Sequence, residues 1–150
     1  MKKAEPVHIA VLVLILITAA AAVLRLAARP AIPEGALRIE HGGREVELPL
    51  ERLELTAVRG TVVNGKGEER TIDARGVLLS EVLREAGISE FAEVTVTAGD
   101  AYSAVVTADE IAAPDRVYLI RQDEGGLRLI VFGDSNSKRS VSNVVSLSVR

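Results

Sequence analysis

Past its first 35 residues the chain reads as short apolar runs divided by turn residues, the pattern of a strand-rich domain. Ala36–His41 and Arg44–Leu48 flank Gly42-Gly43, a two-residue hairpin signal, and Pro49 ends the second arm. Leu55–Val63 is β-prone apart from Arg59-Gly60, which reads either as a bulge re-aiming a side chain toward a site or as a bulge alone. Asn64-Gly65-Lys66-Gly67 makes a turn, and Glu69–Ala74 is the return strand. Val77–Ala86 has helical spacing, with Leu78, Leu79, Val82, Leu83 and Ala86 on one face and Ser80, Glu81, Arg84 and Glu85 on the other, and Gly87 stops it. Glu93–Ala98 and Tyr102–Val106 pair around Gly99-Asp100. Thr107 and Glu110 have the spacing of a capping box, which opens a short helical turn closed by Pro114. Arg116–Arg121 and the β-branched run Leu127–Phe132 are strands around the turn Gln122–Gly126. In Val141–Val149 the alternation puts Val141, Val145, Leu147 and Val149 on one buried face.

The first 35 residues follow another rule. Val7–Ala28 is apolar apart from His8, Thr18 and Arg25, and about 20 apolar positions suit a hydrocarbon core of about 30 Å. Two readings stand side by side. A cleaved signal peptide would use the small residues Ala19–Ala22 or Ala27-Ala28 as its processing site, leaving a secreted protein, whereas an uncleaved signal anchor would keep a longer core. The length of the run favours the anchor. Lys2, Lys3 and the amino terminus outweigh Arg25 and Arg29, which places residues 1–6 in the cytoplasm, a transmembrane helix at 7–28, a Pro- and Gly-containing linker at 29–35 and the domain 36–150 outside the cytoplasm. The expectation is a small β-rich α+β domain on a single-pass tether in the cell membrane.

Composition narrows the chemistry. A net charge of −3 and only two Phe, two Tyr and no Trp argue against nucleic acid as a partner and against surfaces built on aromatic stacking. The chain has no Cys, which excludes disulfides, an acylated Cys, thiolate metal ligands and a Cys nucleophile. His41 has no nucleophile-elbow pattern beside it, and the acidic pairs Glu68-Glu69, Asp109-Glu110 and Asp123-Glu124 fall at turns or a helix start, where acids are solvated or capping. Neither an EF-hand loop nor a transition-metal cluster is visible. No catalytic and no metal-binding residue is assigned.

One loop carries the densest polar chemistry. In Gly133–Ser140 the hydroxyls of Ser135, Ser137 and Ser140 stand beside the cations Lys138 and Arg139, a set able to hold a phosphate or another anion. The segment departs from a P-loop because it lacks the glycine before the lysine and runs into a strand. The same residues also suit a solvated hairpin loop whose Ser and Asn side chains bond their own backbone. Asp100, Tyr102 and Ser103 stand at the turn between two strands, where Gly-Asp is ordinary turn chemistry and Tyr102 can simply start a strand.

Several of these segments, in order, resemble the molybdopterin-binding domain of sulfite-oxidase-type oxidoreductases. Ala74-Arg-Gly-Val-Leu-Leu-Ser-Glu-Val-Leu-Arg-Glu-Ala-Gly-Ile88 is similar to that family's "tGvpLrdLLekAGi" helix. Gly99-Asp-Ala-Tyr-Ser103 and Thr107-Ala-Asp-Glu-Ile111 resemble its "dGY-s" turn and "plee" segment. Gly125-Gly-Leu-Arg-Leu-Ile-Val-Phe-Gly133 and Arg139-Ser-Val141 resemble "GgplRLvvPg" and "(R/K)SVKW". The likeness runs from about Leu53 to Val149. It implies the family's fold, ligand contact at Arg139-Ser140 and a substrate entrance near Asp100, Tyr102 and Ser103, and it makes Arg59 a further candidate contact because the family's metal ligand is expected beside it. The family's metal-ligating Cys falls within Thr56–Thr61, which holds none, and its Lys-Trp after "SV" is Ser142-Asn143 here. The resemblance therefore implies a reduced, non-catalytic relative without cofactor, acting as a binding or accessory module through the loop or through a membrane or redox partner protein. Two other readings remain at this point: an oxidoreductase domain or subunit that keeps molybdopterin without thiolate ligation, and a structural envelope protein that assembles through its sheet edges.

Overall fold

The computed structural model describes Val11, Val13, Ile15–Ala20 and residues 35–150. The chain divides into two units, residues 1–31 and residues 32–150. In the first, the described residues are helical, and Val11, Val13, Ile15, Leu16 and Ile17 are exposed. No helix among the described residues is long and apolar enough to cross a membrane. Most of the expected span 7–28, with residues 1–6 and all of the linker except Gly35, lies outside the described residues.

The second part is a small α+β domain, mostly β, with two sheets and two short α-helices among its described residues. Strands β1 (Ala36–His41) and β2 (Arg44–Pro49) form the predicted hairpin; both Gly42 and Gly43 have positive φ, the conformation a tight two-residue hairpin turn demands. A short 3-10 turn, Leu50–Arg52, leads to β3 (Thr56–Val63) and β4 (Glu69–Leu78), a second antiparallel hairpin. Helix α1 (Leu79–Glu85) follows directly, then β5 (Glu93–Ala98) and β6 (Ser103–Thr107). Helix α2 (Ala108–Ala112), β7 (Val117–Arg121), β8 (Leu127–Val131) and β9 (Val144–Val149) complete the order.

One sheet has the order β2-β1-β9-β5-β6 and the other β3-β4-β7-β8. All pairings are antiparallel except β1 with β9. The two sheets share one apolar core. Leu37, Ile39, Val94, Val96, Val106, Leu147 and Val149 come from the first; Val77, Val117, Leu119, Leu129 and Val131 come from the second. Leu79, Val82 and Leu83 of α1 join them, so the amphipathic pattern does mark a helix that buries its apolar face.

Three local expectations need correction. The helix begins at Leu79, because Val77 and Leu78 pair with Leu119 and Tyr118 as the end of β4, and Leu78 has an extended ψ of 137°. Arg59-Gly60 is not a bulge: the β3–β4 register runs unbroken from Thr56↔Gly76 to Val63↔Glu69. Gly60 is needed for a different reason, since a Cβ there would lie 2.5 Å from Cε1 of Phe132. The last strand starts at Val144. Opposite Thr97 and Ala98 it carries one extra residue, Val145, so Val144 rather than Val145 turns into the core. Val141 is fully buried but belongs to the preceding loop, where its carbonyl accepts from the Leu129 amide at 2.8 Å.

The four-stranded sheet is built in two halves. Pairing of β4 with β7 covers only Gly76, Val77 and Leu78, so the distal part of the β3–β4 hairpin has no β7 partner. Side chains alternate across a strand, which puts Val58, Gly60, Val62, Arg70, Ile72 and Ala74 on one hairpin face. That face shares a side of the sheet with Tyr118, Ile120, Arg128 and Ile130. A second, smaller core forms here from Val58, Ile120 and Ile130, with Val62, Ile72, Ala74, Tyr118 and Phe132 packed on it. Phe132 meets Tyr118 edge to face with centroids 5.8 Å apart and closes on Gly60, so this face of the hairpin packs against the residue that follows β8.

Candidate functional site

Between the distal end of the β3–β4 hairpin and the loop 133–140 lies a cleft of about 560 Å³. This volume falls in the range of sites for small organic molecules, roughly 300–1,000 Å³. Its apolar lining is Val62, Val63, Ile72, Ile130 and Val131, all branched aliphatic side chains. The polar lining includes Lys66 from the hairpin turn, Arg70 from β4, Arg128 from β8, and Asp134, Ser137, Arg139 and Ser140 from the loop.

The two arginines best placed by sequence and by structure have opposite situations. Arg139, the leading candidate for ligand contact, is fully engaged inside the protein. Its Nε and Nη2 donate to Asp134 at 2.8 and 2.5 Å, and its Nη1 and Nη2 donate to Glu110 at 2.9 and 2.7 Å. A weaker fifth bond runs from Nη1 to the Val105 carbonyl at 3.4 Å. A guanidinium has five N–H donors, so none remains for a ligand. Both carboxylates, Asp134 first and then Glu110, hold Arg139 firmly in its charged form. Arg139 is therefore the clamp that shapes the loop, tying it to the start of α2.

Arg128 makes a single bond, from Nε to the Ser140 hydroxyl at 2.9 Å, and is half-buried. Neither it nor Lys66 nor Arg70 forms an ion pair among the described residues. Asp134 is the one carboxylate among the described residues of the lining, and both its oxygens are taken by Arg139. With that pair neutralised, three uncompensated cations surround an aliphatic floor, an arrangement that attracts a negatively charged guest.

Glu110 is the hub behind the loop. As predicted from the sequence, its carboxylate accepts from the Thr107 amide at 3.0 Å while its own amide donates to the Thr107 hydroxyl, completing a capping box. The same carboxylate also accepts from Arg139 and, at 3.4 Å, from Arg116. The Arg139 hydrogen bonds outweigh burial and, with those from Thr107, push its pKa from 4.5 down to about 2. A depressed carboxylate stabilises the fold fully above its unfolded value, and this contribution fades as pH falls through the folded one. Stability to urea should decline between pH 4.5 and about 2, and the Glu110→Gln variant should lose that part of the decline. Solvent screening limits the contribution to about 1–2 kcal/mol. Identical acid profiles for the two proteins would refute this assignment.

The remaining candidates separate into groups. Ser137 and Ser140 line the cleft. Ser140 also lines a neighbouring recess of about 390 Å³ together with Asp100 and Tyr102, so the structure brings these two turn residues beside the loop. Asp100 accepts from the Tyr102 amide at 3.1 Å, and the Tyr102 hydroxyl donates to the Lys138 carbonyl, a second tie on the loop. Lys138 is exposed and lines neither cavity; its amide donates to Asn136 at 2.9 Å. Ser135 is exposed, and Ser103 opens β6. Arg59 projects from the hairpin face opposite Val62 and pairs with Asp73 at 2.5 Å, away from the cleft.

Lys66, Arg70 and Arg128 were not among the residues singled out by sequence. Their only trace there is parity: Arg70 shares its strand face with Ile72, and Arg128 with Ile130, a cation stepping onto an apolar stripe. Nothing local shows that hairpin and loop converge. In sequence comparisons the chain matches no protein-family model and has no significant similarity to any curated protein.

Proposed function

We propose that this protein is a membrane-anchored, extracytoplasmic binding or accessory module that is non-catalytic and takes an anionic ligand in the cleft between the β3–β4 hairpin and the loop 133–140. One observation carries the reading: Lys66, Arg70 and Arg128 line a single cleft without an ion-pair partner among the described residues. Unpaired guanidinium groups beside a half-buried floor are the usual means of gripping phosphate or carboxylate. The anchor and its orientation rest on the apolar run Val7–Ala28 and the flanking charges.

The fold assignment within this proposal is a sulfite-oxidase-like molybdopterin-binding domain. It is supported by the order of the motifs and by their positions: the β4–α1 junction, the β5–β6 turn, the α2 capping box and β8. The residues do not fit a thiolate-held molybdenum. The segment Thr56–Thr61, where the family's ligand is expected, lies on β3 and carries no sulfur, and no Cys occurs elsewhere in the chain.

The test is calorimetric titration of the full chain, held in phosphatidylcholine nanodiscs, with inorganic phosphate. Replacing Arg128 with Gln should weaken binding about tenfold, the value of one charge-assisted contact near 1.4 kcal/mol. The triple variant Lys66→Gln, Arg70→Gln, Arg128→Gln should abolish binding, while Arg44→Gln on β2 leaves it unchanged. Phosphate affinity untouched by the triple variant would remove the cleft from consideration. Stoichiometric molybdenum and pterin in protein from a cofactor-competent host would instead make it a redox protein.

A further inference from the structure

The anionic partner can be specified more closely, on the basis of the cleft assigned above. We infer that the ligand is an aliphatic molecule carrying a compact, doubly charged anionic group, an alkyl phosphate monoester being the simplest member of the class. Charge sets the first condition. Besides Arg139, three cations line the cleft, and the one carboxylate among the described lining residues, Asp134, is already neutralised by Arg139. A single negative charge would leave two cations uncompensated, whereas a dianion on one centre can be shared between the two guanidinium groups and the ammonium.

Volume sets the second condition. A cleft of about 560 Å³ is far larger than an inorganic ion. Water has a liquid volume share of about 30 Å³, so an ion alone would leave the site largely wet. Val62, Val63 and Ile72 are only partly buried, and a bare anion would leave them so. An apolar extension of the ligand covers them and gains about 0.8 kcal/mol for each methylene it buries.

The lining sets the third condition. Among the described residues its apolar members are valine and isoleucine alone, with no aromatic ring. Phe132, the nearest candidate, turns its ring edge onto Gly60 and stacks edge to face on Tyr118. Flat heterocycles are held by stacking on such rings, and branched aliphatic surfaces favour flexible chains that follow their contour.

An alkyl phosphate could come from a membrane lipid headgroup or from a soluble metabolite, and the experiment separates the two. The full chain in phosphatidylcholine nanodiscs is titrated by calorimetry with inorganic phosphate, hexyl phosphate and phenyl phosphate. Hexyl phosphate should bind at least tenfold more tightly than inorganic phosphate, which corresponds to about two buried methylenes. Ile72→Asn should remove that advantage and leave inorganic phosphate unaffected, and Arg128→Gln should weaken both. Equal affinity for hexyl and inorganic phosphate would overturn the inference while leaving the anion site intact. Tighter binding of phenyl phosphate would overturn its aliphatic part. Failure of every phosphate to bind would bring down the site itself. Within a positive result, phosphatidic acid in the nanodisc that competes with hexyl phosphate identifies a lipid source, and its failure to compete identifies a soluble one.

Discussion

Replacing Arg139 with Met should destabilise the domain by about 3 kcal/mol, the low end for breaking a buried ion pair, because its partners keep some contact with water. The side chain loses five hydrogen bonds at once. Two carboxylates, Glu110 and Asp134, with side chains only 19% and 17% exposed, would be left without their main counterion. Arg139→Lys should recover less than half of the loss, since an ammonium cannot bond two carboxylates bidentately. The measurement is the urea midpoint with the slope monitored for constancy. In a Glu110→Gln, Asp134→Asn background the same Arg139→Met change should cost under about 1 kcal/mol, because coupled groups are not additive. An equal cost in both backgrounds would mean that Arg139 acts through packing alone. Phosphate binding should also weaken in Arg139→Met although Arg139 has no donor to offer, because Ser137 and Ser140 reach the cleft on the loop that it clamps.

The second large effect is expected at Gly76. In a strand, Ala ordinarily improves on Gly by roughly 0.5–1 kcal/mol, since it restricts the unfolded chain. Here the sign should reverse. A Cβ on Gly76 would stand 2.8 Å from the Leu119 carbonyl and 2.9 Å from Cγ2 of Ile120. That carbonyl belongs to β7 and cannot rotate away as a side-chain tip could. Gly76 is moreover one of only three positions joining β4 to β7, so any separation falls on the seam between the cleft-forming hairpin and the rest of its sheet. Gly76→Ala should cost about 2–3 kcal/mol, the scale of overpacking in a filled interior. A neutral or stabilising result in urea unfolding would show that the seam yields freely.

The sequence-to-structure relation differs between fold and site. Strands with alternating or β-branched runs, the Gly42-Gly43 hairpin and the Thr107–Glu110 box were legible because their determinants lie within a few residues of one another. The start of α1 was not, because Val77 and Leu78 fit a helical stripe as well as a strand and only pairing with Leu119 and Tyr118 decides. The sequence alternation points Val145 at the core, but one extra residue inverts the parity of everything before it and Val144 takes that place. At the site, the loop 133–140 was visible as polar chemistry, yet the fate of its arginine was hidden. Glu110, which consumes Arg139, is 29 residues away in sequence. Arg70 and Arg128 likewise reach one cleft only through tertiary packing, whose local mark is the missing side chain at Gly60 that admits Phe132.

The parallel pairing of β1 with β9 has a consequence for how the domain comes into being. In the order β2-β1-β9-β5-β6, the ninth strand is the keystone: without it the sheet is two hairpins with no ladder between them. During synthesis the β1–β2 arm therefore has to wait, unpaired along one edge, until more than a hundred residues later Val144–Val149 emerges. Contacts of such sequence separation are slow to form. Between the emergence of β1 and that of β9 the chain exposes an open edge, and completion of this sheet waits for β9.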